Sequence, residues 1–313
     1  MPTRAIMIRV PAKMAMVIAT LAALAFQPAG GQSAKPTTAE ASDDASKSNT
    51  SEVAKTLKAA AEALGLARWS GVGGQRLPEV DVINTMEIWG SGTTYGPGQS
   101  DKPMSFKTEY HAALGYNPPA MRVEMTRTTS GAPAQGGAAP QHTIEVVRDK
   151  YAWDESEIGA GLVTGKGTAT PAMAAVNNRL LQLWILPYGV IKAALAAGDK
   201  TKVSKEKGAT VITFPLNGQL ADVMVKATLD AQNEVAKVET RSDNPALADM
   251  ITETEYSDYA DHGEIATDVK SPGHIVRKQG GHPVLDIKVK MLDANNPYLV
   301  FPVPENVKKT AAH

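Results

Sequence analysis

Six histidines, at positions 111, 142, 262, 274, 282 and 313, are the first residues to test for metal or acid–base chemistry. No two stand at the i,i+2 or i,i+4 spacing that turns both rings towards one ion, and neither His-x-His nor His-Glu-x-x-His occurs. His274 and His282 flank Gly280-Gly281, where a hairpin would bring them towards each other. Ordinary strand and turn positions account for them equally well. Acidic residues gather at Glu253, Glu255, Asp258, Asp261 and Glu264. Glu253 and Glu255 share one face of a strand, an arrangement suited to calcium or to an acid/base pair. No Asp-x-Asp-x-Asp-Gly loop accompanies them, so a solvated outer face of an edge strand is the plainer reading. Asp243, Asn244, Pro245 and Asp249 read as turn and capping residues. Gly159, Gly161, Gly165 and Gly167 make a glycine-rich stretch with no Gly-Lys-Ser/Thr and no helix start to hold a phosphate, which reads as a loop. There is no Gly-x-Ser-x-Gly elbow, no Ser-x-x-Lys in a helical context and no cysteine. The residue types therefore predict a protein that is not an enzyme, with no catalytic residue, metal or cofactor.

The elements that would position these residues are mostly strands. Alternation marks residues 81–92, with Val82, Met86 and Ile88 against Ile83, Glu87 and Trp89, and residues 120–127, with Met121, Val123 and Met125 against Arg122, Glu124 and Thr126. Residues 141–148, 210–215, 221–229, 235–241, 251–259, 274–279 and 284–291 read as further strands. Short strands joined by turn residues predict an antiparallel sheet or barrel, not βαβ units. Gly280-Gly281 and Asn217-Gly218 are both tight-hairpin signals. Residues 95–103 and 130–140 read as loops, the second of low complexity. Helical spacing appears twice. Val53, Leu57, Ala60, Ala61 and Leu64 form one stripe of a helix that Ser51 opens and Gly65 ends. In mid-chain, Met173, Val176, Leu180, Leu183 and Trp184 form a second stripe, with Leu181, Ile185 and Leu186 on the other side. Pro187-Tyr188-Gly189 breaks this helix, and residues 190–197 restart one that Gly198 ends. A helix apolar on most sides must be buried or must cover an apolar cavity.

The first residues predict the compartment. Arg4, Arg9 and Lys13 precede the uncharged apolar run 14–26, followed by Gln27-Pro28-Ala29-Gly30-Gly31. That is the plan of a cleavable secretory signal over residues 1–31, and it predicts a periplasmic or secreted protein. The run is shorter than a membrane span requires, and no second such run occurs, so the mature chain should not be integral to the membrane. Residues 32–50, rich in Ser, Ala, Thr, Asp and Lys, predict a disordered leader, and 51–313 a single domain. Three of the 32 basic residues fall in the signal, which leaves 29 against 33 acidic ones. Such a chain has no basic face for nucleic acid.

Four stretches carry a resemblance: NNRLLQLWILPYGVIKAAL at 177–195, DNPALADM at 243–250, ETEYSDY at 253–259 and HIVRKQGGHPVLDI at 274–287. In this order and spacing they resemble the N-terminal module of exported bacterial proteins whose C-terminal half is a metallo-β-lactamase-fold hydrolase. That module in turn resembles lipoprotein carriers of the LolA/LolB type. The resemblance implies an α+β fold: a curved antiparallel sheet or incomplete β-barrel, plugged by helices, with an apolar interior for acyl chains. The His-x-His-x-Asp-His metal motif is absent, so zinc hydrolysis does not carry over. Tyr188 stands where the related pattern has histidine in Pro-His-Gly.

Two functional expectations follow. One is a periplasmic carrier or sensor of a lipophilic small molecule or lipid, its pocket lined by Met86, Met121, Met125, Leu180, Leu183, Trp184, Ile185, Ile191, Leu195 and Phe214. A dry core filled by the same residues is the alternative for that interior. The other is an interaction module whose protein partner is a separately encoded metallo-β-lactamase-fold hydrolase or another envelope protein.

Overall fold

The structure, a computed structural model, describes residues 40–69, 76–78, 83–96, 104–129, 139–242, 251–261 and 269–311. The signal, the leader up to residue 39, the loops 97–103 and 130–138, the 243–250 stretch, His262, Glu264 and His313 lie outside the described residues. The chain divides into two units, Met1–Ser42 and Asp43–His313. The sheet and its core lie in the second.

Helix α1 (Glu40–Ala63) begins earlier than Ser51, because nothing from Glu40 to Ser51 breaks a helix: the stretch has neither Gly nor Pro. Its last turns bury Leu57, Ala60 and Ala61, and Leu64 just after its end is buried with them. Strands β1 (Ala67–Trp69) and β2 (Arg76–Pro78) form a separate pair. Then come β3 (Thr85–Tyr95), β4 (Ser105–Tyr116), β5 (Pro119–Thr129), β6 (Gln141–Arg148), β7 (Tyr151–Glu155) and β8 (Ala169–Pro171). Helices α2 (Val176–Trp184) and α3 (Pro187–Ala197) follow. The chain returns through β9 (Lys202–Glu206), β10 (Ala209–Pro215), β11 (Val223–Leu229), β12 (Val235–Ser242) and β13 (Thr252–Ser257). A small pair, β14 (Ala260–Asp261) and β15 (Lys270–Ser271), precedes β16 (His274–Gln279), β17 (His282–Ala294) and α4 (Glu305–Thr310).

Thirteen strands make one antiparallel sheet in the order β8-β7-β6-β5-β4-β3-β17-β16-β13-β12-β11-β10-β9. Two meanders are therefore joined at β3 and β17, and the helix pair carries the chain from one end of the sheet to the other. The fold is α+β, as expected. The sheet is not closed into a barrel: β8 and β9 stand at its ends.

Glycine sets the join of the two wings. A Cβ on Gly92 would lie 2.0 Å from the Asp286 carbonyl oxygen, and one on Gly90 2.7 Å from that of Lys288. Side chains there would push β17 away, and a register shift at Val289/Met291 marks the same place. Gly280 and Gly281, with φ of 55° and 82°, form the expected two-residue hairpin between the paired Gln279 and His282. Asn217-Gly218 does not: the β10–β11 connection contains a 3-10 turn (Gly218–Leu220), because Leu216 and Leu220 turn inwards and are buried.

The main core lies on one face of the sheet. It joins Met86 and Ile88 of β3, Ala112 and Leu114 of β4, Met121, Val123 and Met125 of β5, and Ile212 and Phe214 of β10 to the helices. α2 packs on β5, β6 and β7, and α3 on β10. A second cluster lies on the opposite face of β4–β8, where Ala113, Ile144, Val146 and Trp153 meet Phe301 and Val307 of the C-terminal segment. The second half of β4 (112–116) and most of β7 are thus buried on both faces. Their sequences (HAALGY, YAW) show no clean alternation, which is why the period-two pattern passes over them.

Candidate functional site

The helix pair bends by 97° between Met173–Trp184 and Pro187–Lys200. Pro187 does not end the apolar stretch but starts α3 at its first position, after Leu186 in an extended conformation. Gly189 is required there: a Cβ would lie 2.5 Å from the Leu183 carbonyl oxygen and 2.9 Å from Trp184 Cα. Tyr188 is buried and donates its hydroxyl to the Lys270 carbonyl. α2 is held to the sheet by Arg179, which donates to the carbonyls of Val146 (3.0 Å) and Trp153 (2.8 Å) and pairs with Asp154 and Glu145.

Outside this bend the two wings leave a cleft of about 520 Å³. Leu180 and Trp184 of α2 and Ala193 and Ala196 of α3 form one wall. The β6–β7 turn (Asp149, Lys150) and the β10–β11 loop (Leu216 to Leu220) form the others, with Pro119 and Tyr151. Gln219 donates to the Asp149 carbonyl at 3.0 Å and so links the two turns across the cleft. The Trp184 and Tyr116 ring centroids lie 5.8 Å apart, and Lys192 Nζ stands over the Tyr116 ring, 5.2 Å from its centroid. The walls are largely apolar, with Asp149, Lys150, Asn217 and Gln219 as the polar groups among them. Such a site favours a lipophilic guest with one polar end.

Of the ten residues expected to line a pocket, Leu180 and Trp184 stand on this cleft. Met86, Met121, Met125, Leu183, Ile185, Ile191 and Phe214 are packed into the main core instead. Leu195 is 41% exposed, since the buried arc of α3 runs through Val190, Ala193, Ala194 and Ala197 and excludes it. Leu216, Leu220, Pro119 and Tyr151 were not among the expected residues. Two large apolar residues flanking Asn217-Gly218 are the signal that a tight hairpin would not have produced.

The polar residues singled out in the sequence fall elsewhere. His274 pairs with Lys288 and His282 with Gln279, so the two histidines are separated by the length of the hairpin. His274 Nε2 lies 2.7 Å from Asp286 Oδ1. Glu253 and Glu255 are on β13, an interior strand and not an edge, paired with Lys237 and Lys278. Lys278 holds the Glu255 carboxyl below its ordinary value. Cross-strand register assembles a cluster the spacing did not suggest. His111 lies 3.2 Å from Glu87 and 3.6 Å from Glu124, His142 lies 2.8 Å from Glu124, and Trp89 stacks on His111 at 4.8 Å. Among the described residues no group of three His, Cys, Asp or Glu is placed to hold a metal ion. No protein-family model matches the chain, and no curated protein matches its sequence.

Proposed function

We propose that this chain is an exported, lipoprotein-carrier-like binding protein for a lipophilic, acyl-chain ligand, and that it is not an enzyme. The observation that carries the reading is the apolar cleft beside the bent helix pair, walled by Leu180, Trp184, Ala193, Leu216 and Leu220. An acyl chain entering such a cleft gains about 0.8 kcal/mol per buried CH₂, against which stand the costs of association. The secretory signal plan and the four resembling stretches support an envelope setting. The test is titration with a fluorescent fatty acid, alongside native mass spectrometry of protein purified from the periplasm. Ala196 lines the cleft and is exposed, so Ala196→Trp fills the space without entering the core. Binding should weaken about tenfold or more, with stability changed by no more than about 0.5 kcal/mol. Equal binding by both proteins, or none by either, would refute this assignment.

One observation favours the second reading, a module that docks a metallo-β-lactamase-fold hydrolase or another envelope partner. Ile158, Leu162, Tyr298 and Val300 are exposed large apolar residues that share one surface groove beside the second cluster, with Tyr298 88% exposed. Contiguous exposed apolar surface of this kind marks interaction sites. Co-purification of such a hydrolase that is lost in Val300→Asp would favour docking.

A further inference from the structure

The groove beside the second cluster holds a guanidinium with donors left over. Cross-strand register puts Arg122 of β5, Val146 of β6 and Trp153 of β7 in one row. Phe301 of the C-terminal segment packs on the same row, its ring centroid 5.9 Å from Arg122 Cζ. Arg122 is half-buried, and its Nε is buried with no hydrogen-bond partner among the described residues. All four residues line the groove of about 270 Å³ to which Ile158, Leu162, Tyr298 and Val300 belong. The two segments that complete it are anchored. Gly159 donates its amide to Glu155 at 2.9 Å, and the Phe301 carbonyl accepts from Arg148 at 3.0 Å. A Cβ on Gly161 would lie 3.3 Å from Pro304 Cβ, so the two segments also meet each other. The groove is therefore formed before any guest arrives.

Its charges are Arg122, Lys166 and Glu155. Both oxygens of Glu155 are engaged, one by the Trp153 indole N–H at 2.9 Å and the other by the Gly159 amide. Among the described residues neither Arg122 nor Lys166 has a carboxylate partner. The groove is thus net positive, with cationic donors left for a guest, in a chain of 33 acidic and 32 basic residues. A half-buried guanidinium without an acceptor is costly, and its forked donors match a carboxylate. An arginine and a tyrosine among aliphatic side chains are also the residue types that anchor protein–protein contacts.

We propose that this groove docks a segment of a partner protein in which an acidic side chain sits between apolar ones. The carboxylate pairs with Arg122, and the apolar groups lie on Ile158, Leu162, Tyr298 and Val300. This rests on the docking reading and adds the chemistry of the partner. The test uses the protein isotope-labelled in its tryptophans, because Trp153 lies in the groove and Trp184 on the cleft. It is titrated by NMR with the peptide acetyl-Leu-Phe-Glu-Phe-Leu-amide and with its counterparts carrying Gln or Lys at the centre. The Glu peptide should move the Trp153 indole resonance and leave that of Trp184 in place. It should bind about tenfold more tightly than the Gln peptide, with the Lys peptide weakest. Raising the salt concentration should shrink the Glu–Gln difference on the unaltered protein, and Arg122→Gln should abolish it at low salt. Equal shifts by all three peptides would overturn the acidic partner and leave docking standing. A Trp153 shift that follows protein concentration alone would give the groove to a second copy of this chain, and one produced by decanoate but by no peptide would give it to a lipid. Either result overturns the proposal. No shift with any peptide would remove the docking reading as well, while Trp184 still reports on the cleft.

Discussion

Leu183 and Ala196 belong to the same helix pair and differ in what surrounds them. Leu183 is fully buried between α2 and the sheet, whereas Ala196 borders the cleft. Leu183→Trp adds a large ring to a close-packed region and should cost roughly 1–3 kcal/mol, read as a lower denaturant midpoint. Ala196→Trp should leave that midpoint nearly unchanged. Arg179 makes the contrasting polar case. Its side chain is 9% exposed and serves two backbone carbonyls as well as Asp154 and Glu145. Arg179→Met keeps the apolar stem but leaves the carbonyls without a donor, for an expected loss of about 2–3 kcal/mol in chemical denaturation. A loss below about half of that would show that water replaces the guanidinium freely.

The bend between α2 and α3 decides where the cleft lies, and two residues make it. Pro187 starts α3 with no amide hydrogen to satisfy, and Gly189 lets the new helix approach the Leu183 carbonyl. By helix propensity alone, Gly189→Ala would stabilise α3 by about 1 kcal/mol. The close approach reverses the sign, because the neighbouring atoms are backbone and cannot step aside. The expected outcome is destabilisation by about 1–3 kcal/mol, together with weaker fatty-acid binding as the two walls of the cleft separate. A stabilised variant would show that the bend tolerates a shift. The break was legible in the sequence as Pro-Tyr-Gly, and the apolar run before it announced buried surface. Which side of that run meets the cleft was not legible. α2 sits between β5–β7 and the β10–β11 loop, and that loop comes from a part of the chain read as a tight turn.

Across the whole molecule, a set of buried phenols ties the helix pair and both wings to one core. Tyr256 donates to the Ile185 carbonyl at 2.7 Å, Tyr259 to that of Val235 at 2.8 Å, and Tyr188 to that of Lys270. Burial raises the pKa of Tyr110, Tyr116, Tyr188, Tyr256 and Tyr259 above the ordinary phenol value of 10.0. Their folded pKa values exceed the unfolded ones, so the contribution to stability is complete below pH 10 and is lost as pH rises towards the folded values. In an alkaline titration the phenolate absorbance of these tyrosines should appear together with the loss of near-ultraviolet circular dichroism. Smooth ionisation of all tyrosines with the dichroism intact would contradict the packing described.

Local pattern was enough to read the class of fold and most strands, since period-two alternation survives wherever one face of the sheet meets water, as in β5 and β11. It was also enough for the Gly280-Gly281 hairpin, because two consecutive residues at positive φ are a local demand that glycine meets. Strands β4 and β7 escaped because the C-terminal segment covers their second face, and a segment some 150 or more residues away leaves no mark on their alternation. The expected lining residues were correctly apolar, yet composition does not tell a packed side chain from one beside empty space. Met86 and Phe214 became core, Leu195 reached solvent, and Leu180 and Trp184 came to the cleft, according to how the two wings close around the bend. The cluster of His111, His142, Glu87 and Glu124 likewise exists only through register. Pairing across strands brings together residues whose separation along the chain carries no trace of the contact.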